Sequence, residues 1–170
     1  MVDGAQFEGR FKQGMRRLAS GVSVVATRTP DDKRCGITAT AVSSLTASPP
    51  TLLVCINKST WLGAEIARSG AFSVNLLSHD QKHVGMAFAG ISGYSGEDRF
   101  AVGTWGAGET GAPILAGSVA SFDCTVDQLV DRSTHLIVIG LVKAVIDADS
   151  DDRGLVYVDG DFGICMPVEA

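Results

Sequence analysis

Strand-length runs of β-branched and apolar residues, rather than segments of helical period, dominate this chain of 170 residues. A turn-rich stretch at 29–33 joins the first two runs, and Asp159-Gly160 is a dipeptide typical of hairpin turns. The predicted strands cover residues 22–28, 34–43, 51–56, 71–77, 119–130, 135–148, 155–159 and 161–165. So many strands with few helices predict a mainly β (α+β) protein built on a closed antiparallel barrel.

A few helices are predicted to flank the barrel. The first is amphipathic, with an apolar stripe of Phe7, Phe11, Met15 and Leu18. Ser20-Gly21 is expected to end it. Ser78 and Gln81 form a capping-box signature for a later helix that reaches about residue 88. The Gly-rich segment 89–111 is predicted to be a long loop or an interrupted helix that packs over its neighbours.

Length and charge narrow the class of protein. A chain of 170 residues is near the usual size of one domain, so a single domain over residues 1–170 is expected. The net charge of -5 argues against nucleic-acid binding, which needs clustered Lys and Arg. No apolar run is long enough to cross a membrane and no leader is apparent, so a cytoplasmic protein is expected. The four cysteines are far apart, which makes a disulfide framework improbable.

The stretch GITATAVSSLTASPPTLLVCINKST at 36–60 is the strongest indication of a ligand site. Ala39 and Ala41 leave space above an extended backbone, where a flat ring could lie. In a continuous strand, the hydroxyls of Thr38, Thr40 and Ser44 would share one side. A strand of small hydroxyl residues therefore predicts a platform for a planar ligand.

A binding site for a phosphate group is predicted where the buried strand 51–56 ends. Asn57, Lys58, Ser59 and Thr60 follow it, and Thr60 is a plausible N-cap for a helix over 61–68. Free N–H groups, hydroxyls and the Lys58 ammonium would then converge, which is the arrangement that a phosphate group needs. Caps of this kind are common without any ligand, so the combination rather than any single residue indicates phosphate binding.

Three other motifs are set aside. Residues 106–111 spell a dinucleotide fingerprint, but no apolar strand precedes them and Pro113 follows, so a Rossmann site is rejected. His79 and His83 are one helical turn apart without a third ligand, which favours solvent-facing histidines over a metal site. The aspartates at 147–152 lack the glycine and the glutamate of a calcium loop, and an acidic turn is expected.

Several segments resemble, in the same order, a known family: the short-chain flavin reductases, split-barrel NAD(P)H:flavin oxidoreductases that include the reductase components of two-component flavin monooxygenases. The resemblance covers nearly the whole chain. The segments are LASGVSVVAT at 18–27, the stretch at 36–60, FSVNLL at 72–77, Asp98-Arg99-Phe100, GAPILAGSVASFDC at 111–124, DRSTHLIVIGLV at 131–142 and LVYVDGDFG at 155–163.

The resemblance implies an antiparallel split β-barrel of the FMN-binding type, with one flavin reductase-like domain and a homodimeric assembly. FMN, or FAD as a loosely held alternative, would lie in a groove at the barrel's edge near the dimer interface. NADH or NADPH would be the cosubstrate, and hydride would pass from nicotinamide C4 to flavin N5. Such chemistry belongs to the cofactors and needs close stacking rather than a catalytic triad.

The resemblance also implies roles for individual residues. Thr38, Ala39 and Thr40 match the segment that approaches the flavin ring, with Ser44 further along it. The ribityl-phosphate region is matched by Asn57, Lys58, Ser59 and Thr60. His135 matches a histidine near the flavin and the nicotinamide, although a strand-end histidine satisfied by a backbone carbonyl is an equal alternative. Phe162 matches an aromatic near the flavin, and a plain core role is at least as good an interpretation.

Three functional classes remain open at this stage. The protein could supply reduced flavin to a separate monooxygenase, or pass electrons to a bound acceptor, as corrin reductase relatives in cobalamin synthesis do. It could also be a non-catalytic FMN-binding protein. Rapid release of reduced flavin would favour the first class, whereas tight FMN retention with poor turnover would favour the other two.

Overall fold

The computed structural model describes residues 4–147 and 153–166. Its strands are β1 (Ser20–Gly21), β2 (Ser23–Arg28), β3 (Arg34–Ala39), β4 (Val42–Ala47), β5 (Pro50–Asn57), β6 (Ala71–Leu76), β7 (Trp105–Ala107), β8 (Pro113–Leu115), β9 (Ala120–Arg132), β10 (His135–Asp147), β11 (Leu155–Val158) and β12 (Asp161–Ile164). The helices are α1 (Gly4–Arg16), α2 (Leu62–Ser69) and α3 (Lys82–Phe88), with 3₁₀ helices at His79–Gln81 and Gly96–Ala101.

A seven-stranded antiparallel sheet in the order β3-β2-β6-β9-β10-β5-β4 forms the body of the protein. Its two edge strands, β3 and β4, are joined by only Thr40 and Ala41. In a flat sheet, seven strands about 4.8 Å apart would place these edges about 29 Å from each other. Because two linking residues span only about 10 Å, the sheet must curl until its edges meet. The predicted antiparallel barrel is therefore confirmed.

The barrel interior is one apolar cluster into which α2 inserts. Leu62 and Ile66 of α2 are buried against the side chains of Val54, Ile56 and Phe72. Burial of each such side chain stabilises the fold by about 1.5–3 kcal/mol. Since α2 follows directly on β5, its packing in the interior fixes where the connecting residues 57–61 lie at the end of the barrel.

A second apolar cluster covers the outer face of β2. Phe88 of α3 meets Phe100 and Trp105 in edge and tilted ring contacts, with centroids 4.9 and 5.2 Å away. Segment 89–111, predicted as a loop or an interrupted helix, supplies this cover through a 3₁₀ helix and β7. The Arg99 guanidinium donates to the carbonyls of Gly36 and Phe88, both at 3.3 Å, and so ties the segment to β3 and α3.

Several local predictions are confirmed. Ser78 and Gln81 make the reciprocal capping box, followed by α3. The hairpin turn between β11 and β12 has φ values of 54° at Asp159 and 93° at Gly160, the left-handed pair that an Asp-Gly turn provides. The turn at 29–33 is closed by Thr29 N–H, which donates to Lys33 O at 2.8 Å. All four cysteines are free thiols.

Other boundaries were wrong. Ser20-Gly21 does not end the first helix, which stops at Arg16; it forms β1 and pairs with β11. Residues 34–43 are not one strand, because the chain leaves β3 at Thr40 to cross to the other edge of the sheet. The short strand β8 was not predicted at all. The acidic stretch 148–152 lies outside the described residues.

Within residues 4–147 and 153–166, no helix combines the length and the apolar character needed to span a membrane.

Candidate flavin site

Three side chains lie in a row across neighbouring strands at one end of the barrel. Asn57 of β5 is directly opposite His135 of β10, and His135 is directly opposite Arg132 of β9. Directly opposed residues in antiparallel strands project from the same face, with Cβ atoms about 5 Å apart. The structure therefore places an imidazole between a carboxamide and a guanidinium, with all three residues exposed.

Asn57 also organises the turn that follows β5. Its side-chain oxygen accepts from Ser59 N–H at 2.9 Å, and its carbonyl accepts from Thr60 N–H at 3.0 Å and from the Thr60 hydroxyl at 2.7 Å. Lys58 N–H donates to Thr134 O at 3.0 Å, which fixes the turn against the β9–β10 hairpin. Residues 57–60, which we call the phosphate turn, are thus held in place before any ligand binds.

The start of α2 differs from the prediction. Thr60 is not the N-cap, because its hydroxyl is bound to the Asn57 carbonyl; Trp61 occupies that position and provides no side-chain cap. The first N–H groups of a helix have no acceptor within the helix, and here none is supplied by a capping side chain. The first N–H groups of α2 therefore donate no hydrogen bond to the side chain at the N-cap position.

Lys58 has a competing partner. Its Nζ lies 2.5 Å from Asp131 Oδ1 on the exposed surface of the β9–β10 hairpin. An exposed ion pair of this kind is weak, about 0–1 kcal/mol, so a doubly charged phosphate could displace the carboxylate. With Arg132 counted, this end of the barrel carries two cationic side chains and one carboxylate, which favours anionic ligands.

The small-residue segment lies at the crossover between the barrel's two edges. Ala39 is buried, Thr40 is exposed, and the carbonyl of Ala41 accepts from Cys55 N–H at 3.0 Å, two residues before Asn57. Crossover and phosphate turn are therefore neighbours, as one elongated ligand would require.

The expected alignment of three hydroxyls was wrong. The Thr38 hydroxyl donates to Gly85 O in α3 at 2.6 Å, and the strand break at Thr40 ends the period of two on which the prediction relied. Ser44 pairs with Leu52 on the exposed edge strand, about 17 Å along β5 from Asn57. The binding roles of these residues remain predictions.

Phe162 lies near α3 rather than at the phosphate turn. Its ring is half-buried, packs edge-on against Tyr157 at 5.3 Å and lies beneath Lys82 Nζ at 5.3 Å. The predicted residues thus fall into two groups. The first group lies at the end of the barrel and consists of Asn57, Lys58, Ser59, Thr60 and His135, with the crossover beside it. The second group, Thr38 and Phe162, lies against α3.

Sequence reasoning did not select three residues that lie beside the phosphate turn and His135: Asp131, Arg132 and Trp61. A two-residue loop at Ser133-Thr134 makes Arg132 the cross-strand partner of His135. Recognising DRSTH as a hairpin turn would therefore have identified Arg132. Trp61 could not be found in this way, because its exposure depends on how α2 inserts into the barrel.

Thiol chemistry has little support. Burial, with a smaller effect from Asp123, raises the pKa of Cys124 to about 12. Burial, with smaller effects from Glu65 and Glu97, also raises the pKa of Cys35 above its usual value. Thiols with raised pKa values stay protonated near neutral pH and are poor nucleophiles.

The other two histidines, His79 and His83, do not form a metal site in the described structure. His79 Nε2 lies 3.2 Å from the Asp80 carboxylate, and His83 Nδ1 lies 3.1 Å from Asp80 O. Among the residues that the structure describes, no group of three metal-ligating side chains occurs. Residues 106–111 end β7 and turn into β8, without the helix that a dinucleotide fingerprint needs.

One cavity of the described structure lies away from these residues. It has a volume of about 530 Å³, lies between the β7–β8 pair and the last residues of β10, and contains none of the predicted site residues. The residues of the phosphate turn and the crossover are instead mostly exposed.

A curled antiparallel sheet whose two edge strands are joined by a short crossover is the architecture of a split barrel. Comparison with known proteins agrees: the model of the flavin reductase like domain matches residues 15–165, and the chain belongs to this family. It is 36% identical over 148 residues to the 4-hydroxyphenylacetate 3-monooxygenase reductase component of Escherichia coli, covering 87% of this chain and 86% of that protein.

Two further relatives carry related names. The FMN reductase (NADH) RutF of Cronobacter sakazakii is 40% identical over 149 residues, which cover 88% of this chain and 87% of that protein. The solved structure of the NADH:FAD oxidoreductase SgcE6 of Streptomyces globisporus C-1027 superposes with a TM-score of 0.86 at 25% identity, covering 99% of this chain and 98% of that one. The predicted family and split-barrel fold are confirmed.

Proposed function

We propose that this protein is a flavin reductase that transfers hydride from NADH or NADPH to FMN or FAD and supplies the reduced flavin to a partner monooxygenase. The observation that carries the proposal is the phosphate turn, held against the His135 hairpin and beside the edge crossover. Family membership and the names of the relatives support the same activity.

The donors at the barrel end fit a flavin phosphate. The Lys58 ammonium would supply positive charge, and the first N–H groups of α2, which have no side-chain cap, would donate hydrogen bonds to the phosphate oxygens. The Ser59 hydroxyl lies between them in sequence. When bound, a flavin supplies the ring that accepts the hydride, so the protein need only hold two rings in contact. Thr38, Ala39 and Thr40 are proposed to position the ring edge, and Ser44 and Phe162 to border the groove.

His135 is proposed to orient the nicotinamide against the flavin. Its Nδ1 lies 2.9 Å from the Thr134 hydroxyl rather than against a backbone carbonyl, and the residue is exposed. An exposed imidazole held at one ring nitrogen leaves the other free for a ligand. Arg132, opposite it, adds positive charge where the anionic dinucleotide would approach.

Anaerobic mixing tests the activity. The purified protein with FMN or FAD should bleach the flavin absorbance on addition of NADH or NADPH, and the two cosubstrates are compared separately. The reduced flavin should then pass through an ultrafiltration membrane that retains the protein. No bleaching with either cosubstrate would contradict the proposal, and bleaching with the flavin retained would favour a bound acceptor such as a corrin.

Replacing His135 by alanine is expected to slow flavin reduction about tenfold at saturating NADH while leaving oxidised-flavin affinity nearly unchanged, because orientation affects the hydride step. Stopped-flow absorbance measures the rate, and a flavin titration measures the affinity. His83→Ala, which removes an exposed histidine of α3, is the matched control. A wild-type reduction rate in His135→Ala would remove the residue from the mechanism.

We also propose that residues 1–170 form one domain that assembles as a homodimer. No residue of α1 is buried, and the apolar stripe formed by Phe7, Phe11 and Met15 of α1 with Leu18 just after it is 50–66% exposed. An apolar stripe of this extent is typical of an interface. Four free thiols are consistent with a reducing compartment, so a cytoplasmic location is proposed.

Sedimentation equilibrium should give twice the chain mass of 17.7 kDa. The double variant F7D/F11D should sediment as a monomer, since two carboxylates cannot be buried in an apolar interface without partners. Ile91→Asp changes an equally exposed apolar residue outside α1 and should remain dimeric. A wild-type monomer that binds flavin at low micromolar concentration would contradict the dimer.

A further inference from the structure

Trp61 is an exposed indole placed directly after the phosphate turn. Its exposed fraction is 75%, and within residues 4–147 and 153–166 no other large hydrophobic side chain exceeds 66%. Single exposed apolar residues are common, but a tryptophan side chain is seldom exposed to this extent. The position of this residue, one step beyond Thr60, makes the exposure informative.

The fold itself does not require an indole here. The core face of α2 is formed by Leu62, Gly63 and Ile66, whereas Trp61 lies outside that face. At the N-cap position, Trp61 accepts Glu65 N–H through its carbonyl, a bond that any residue would make. In the part of the chain described, no ring or cation contact involves the Trp61 side chain.

Ligand chemistry accounts for an aromatic at this place. FMN ends at its phosphate, whereas FAD and NADH continue through a second phosphate and a ribose to an adenine. A dinucleotide whose phosphates lie at residues 57–60 and the open end of α2 would carry its adenosine half beyond the phosphate turn, towards Trp61. Nucleobases stack on exposed aromatic rings of proteins regardless of sequence context.

We propose that Trp61 is the stacking platform for the adenine of a dinucleotide bound through its phosphates at the phosphate turn. The adenine belongs either to FAD, in which case Trp61 gives a preference for FAD over FMN, or to the nicotinamide cosubstrate. This inference rests on the proposed function, because it needs a dinucleotide at that turn.

Equilibrium titrations of the full-length protein with FAD and FMN test the inference, together with the KM for NADH at saturating FMN. Trp61→Ala should weaken FAD binding roughly tenfold, or raise the NADH KM by a similar factor, because stacking is lost. FMN affinity should stay within about twofold of wild type, since FMN has no adenine. Trp61→Phe keeps a ring and should retain most of the affinity.

Fluorescence gives a readout that does not depend on activity. The chain has two tryptophans, and the other, Trp105, is held by a hydrogen bond from Nε1 to Val102 O at 2.9 Å and by Phe88 and Phe100. Adenosine monophosphate should quench the wild-type emission and leave the emission of Trp61→Phe unchanged. Tyr94→Ala, which removes another exposed aromatic, should behave as wild type in every assay.

The outcomes distinguish a failure of the Trp61 stacking role from a failure of the proposed flavin reductase function. Three results for Trp61→Ala would overturn the stacking role while leaving the flavin site intact. They are an equal loss of affinity for FAD and FMN, an unchanged FAD affinity together with an unchanged NADH KM, and a change in the sedimenting mass. Failure of the wild-type protein to bind any flavin would instead overturn the proposed function and the inference with it.

Discussion

Replacing Lys58 by alanine should weaken FMN binding by about 5- to 150-fold, because a charge-assisted contact to a phosphate contributes about 1–3 kcal/mol. Riboflavin, which has no phosphate, should bind the variant as it binds the wild type. Fluorescence titration with each flavin measures both affinities. The contrast between two ligands that share a ring makes the result specific to the phosphate end of the site.

Two further variants sharpen this test. Lys33→Ala removes an exposed lysine from the hairpin turn and should leave both affinities unchanged. Asp131→Asn removes the carboxylate that lies 2.5 Å from Lys58 Nζ, so FMN should bind more tightly than to the wild type. Equal weakening of FMN and riboflavin in Lys58→Ala would show that Lys58 acts on the fold or the ring instead.

Asp123→Ala should lower the free energy of unfolding by about 3 kcal/mol, because two donors would lose their acceptor in the interior. The Asp123 side chain is fully buried and accepts from Thr110 N–H at 2.8 Å and from the Thr110 hydroxyl at 2.5 Å. Chemical denaturation in urea measures the change. Flavin affinity of the folded variant should be retained, since residue 123 is remote from the phosphate turn.

The matched control for this prediction lies on the same strand. Asp127→Ala removes an exposed carboxylate of β9 and should change stability by less than about 0.5 kcal/mol. Asp123→Asn preserves the shape and one acceptor oxygen, and we expect an intermediate loss. Wild-type stability of Asp123→Ala would mean that Thr110 finds other partners and that this buried contact does not hold segment 108–112 in place.

The strands were predictable because each is a local pattern. The run at 51–56 and the β11–β12 turn at Asp159-Gly160 need no knowledge of the rest of the chain. The row of Asn57, His135 and Arg132 was not predictable as a group, since it depends on the pairing of β5 with β10 across 78 positions of sequence. Family resemblance selected Asn57 and His135 separately, and only the sheet register places them side by side.

The strand break at Thr40 was missed for a related reason. Every position from 35 to 44 holds a small or β-branched residue, and the run fits an extended chain as a whole, so composition contains no sign of the break. Barrel closure imposes it, because the chain must leave one edge of the sheet and join the other. The absence of a cap at α2 was missed as well, since the Thr60 hydroxyl prefers the Asn57 carbonyl within its own turn.

The two-residue crossover at Thr40 and Ala41 also determines where this protein can change in length. One residue added there would shift β4 by one position against β5 and turn Val42 from the core towards solvent. Lengthening the turn at 29–33 would alter no strand register, because that loop projects from the end of a hairpin. Labels and inserted peptides therefore belong in the 29–33 turn, whereas the crossover must keep its length.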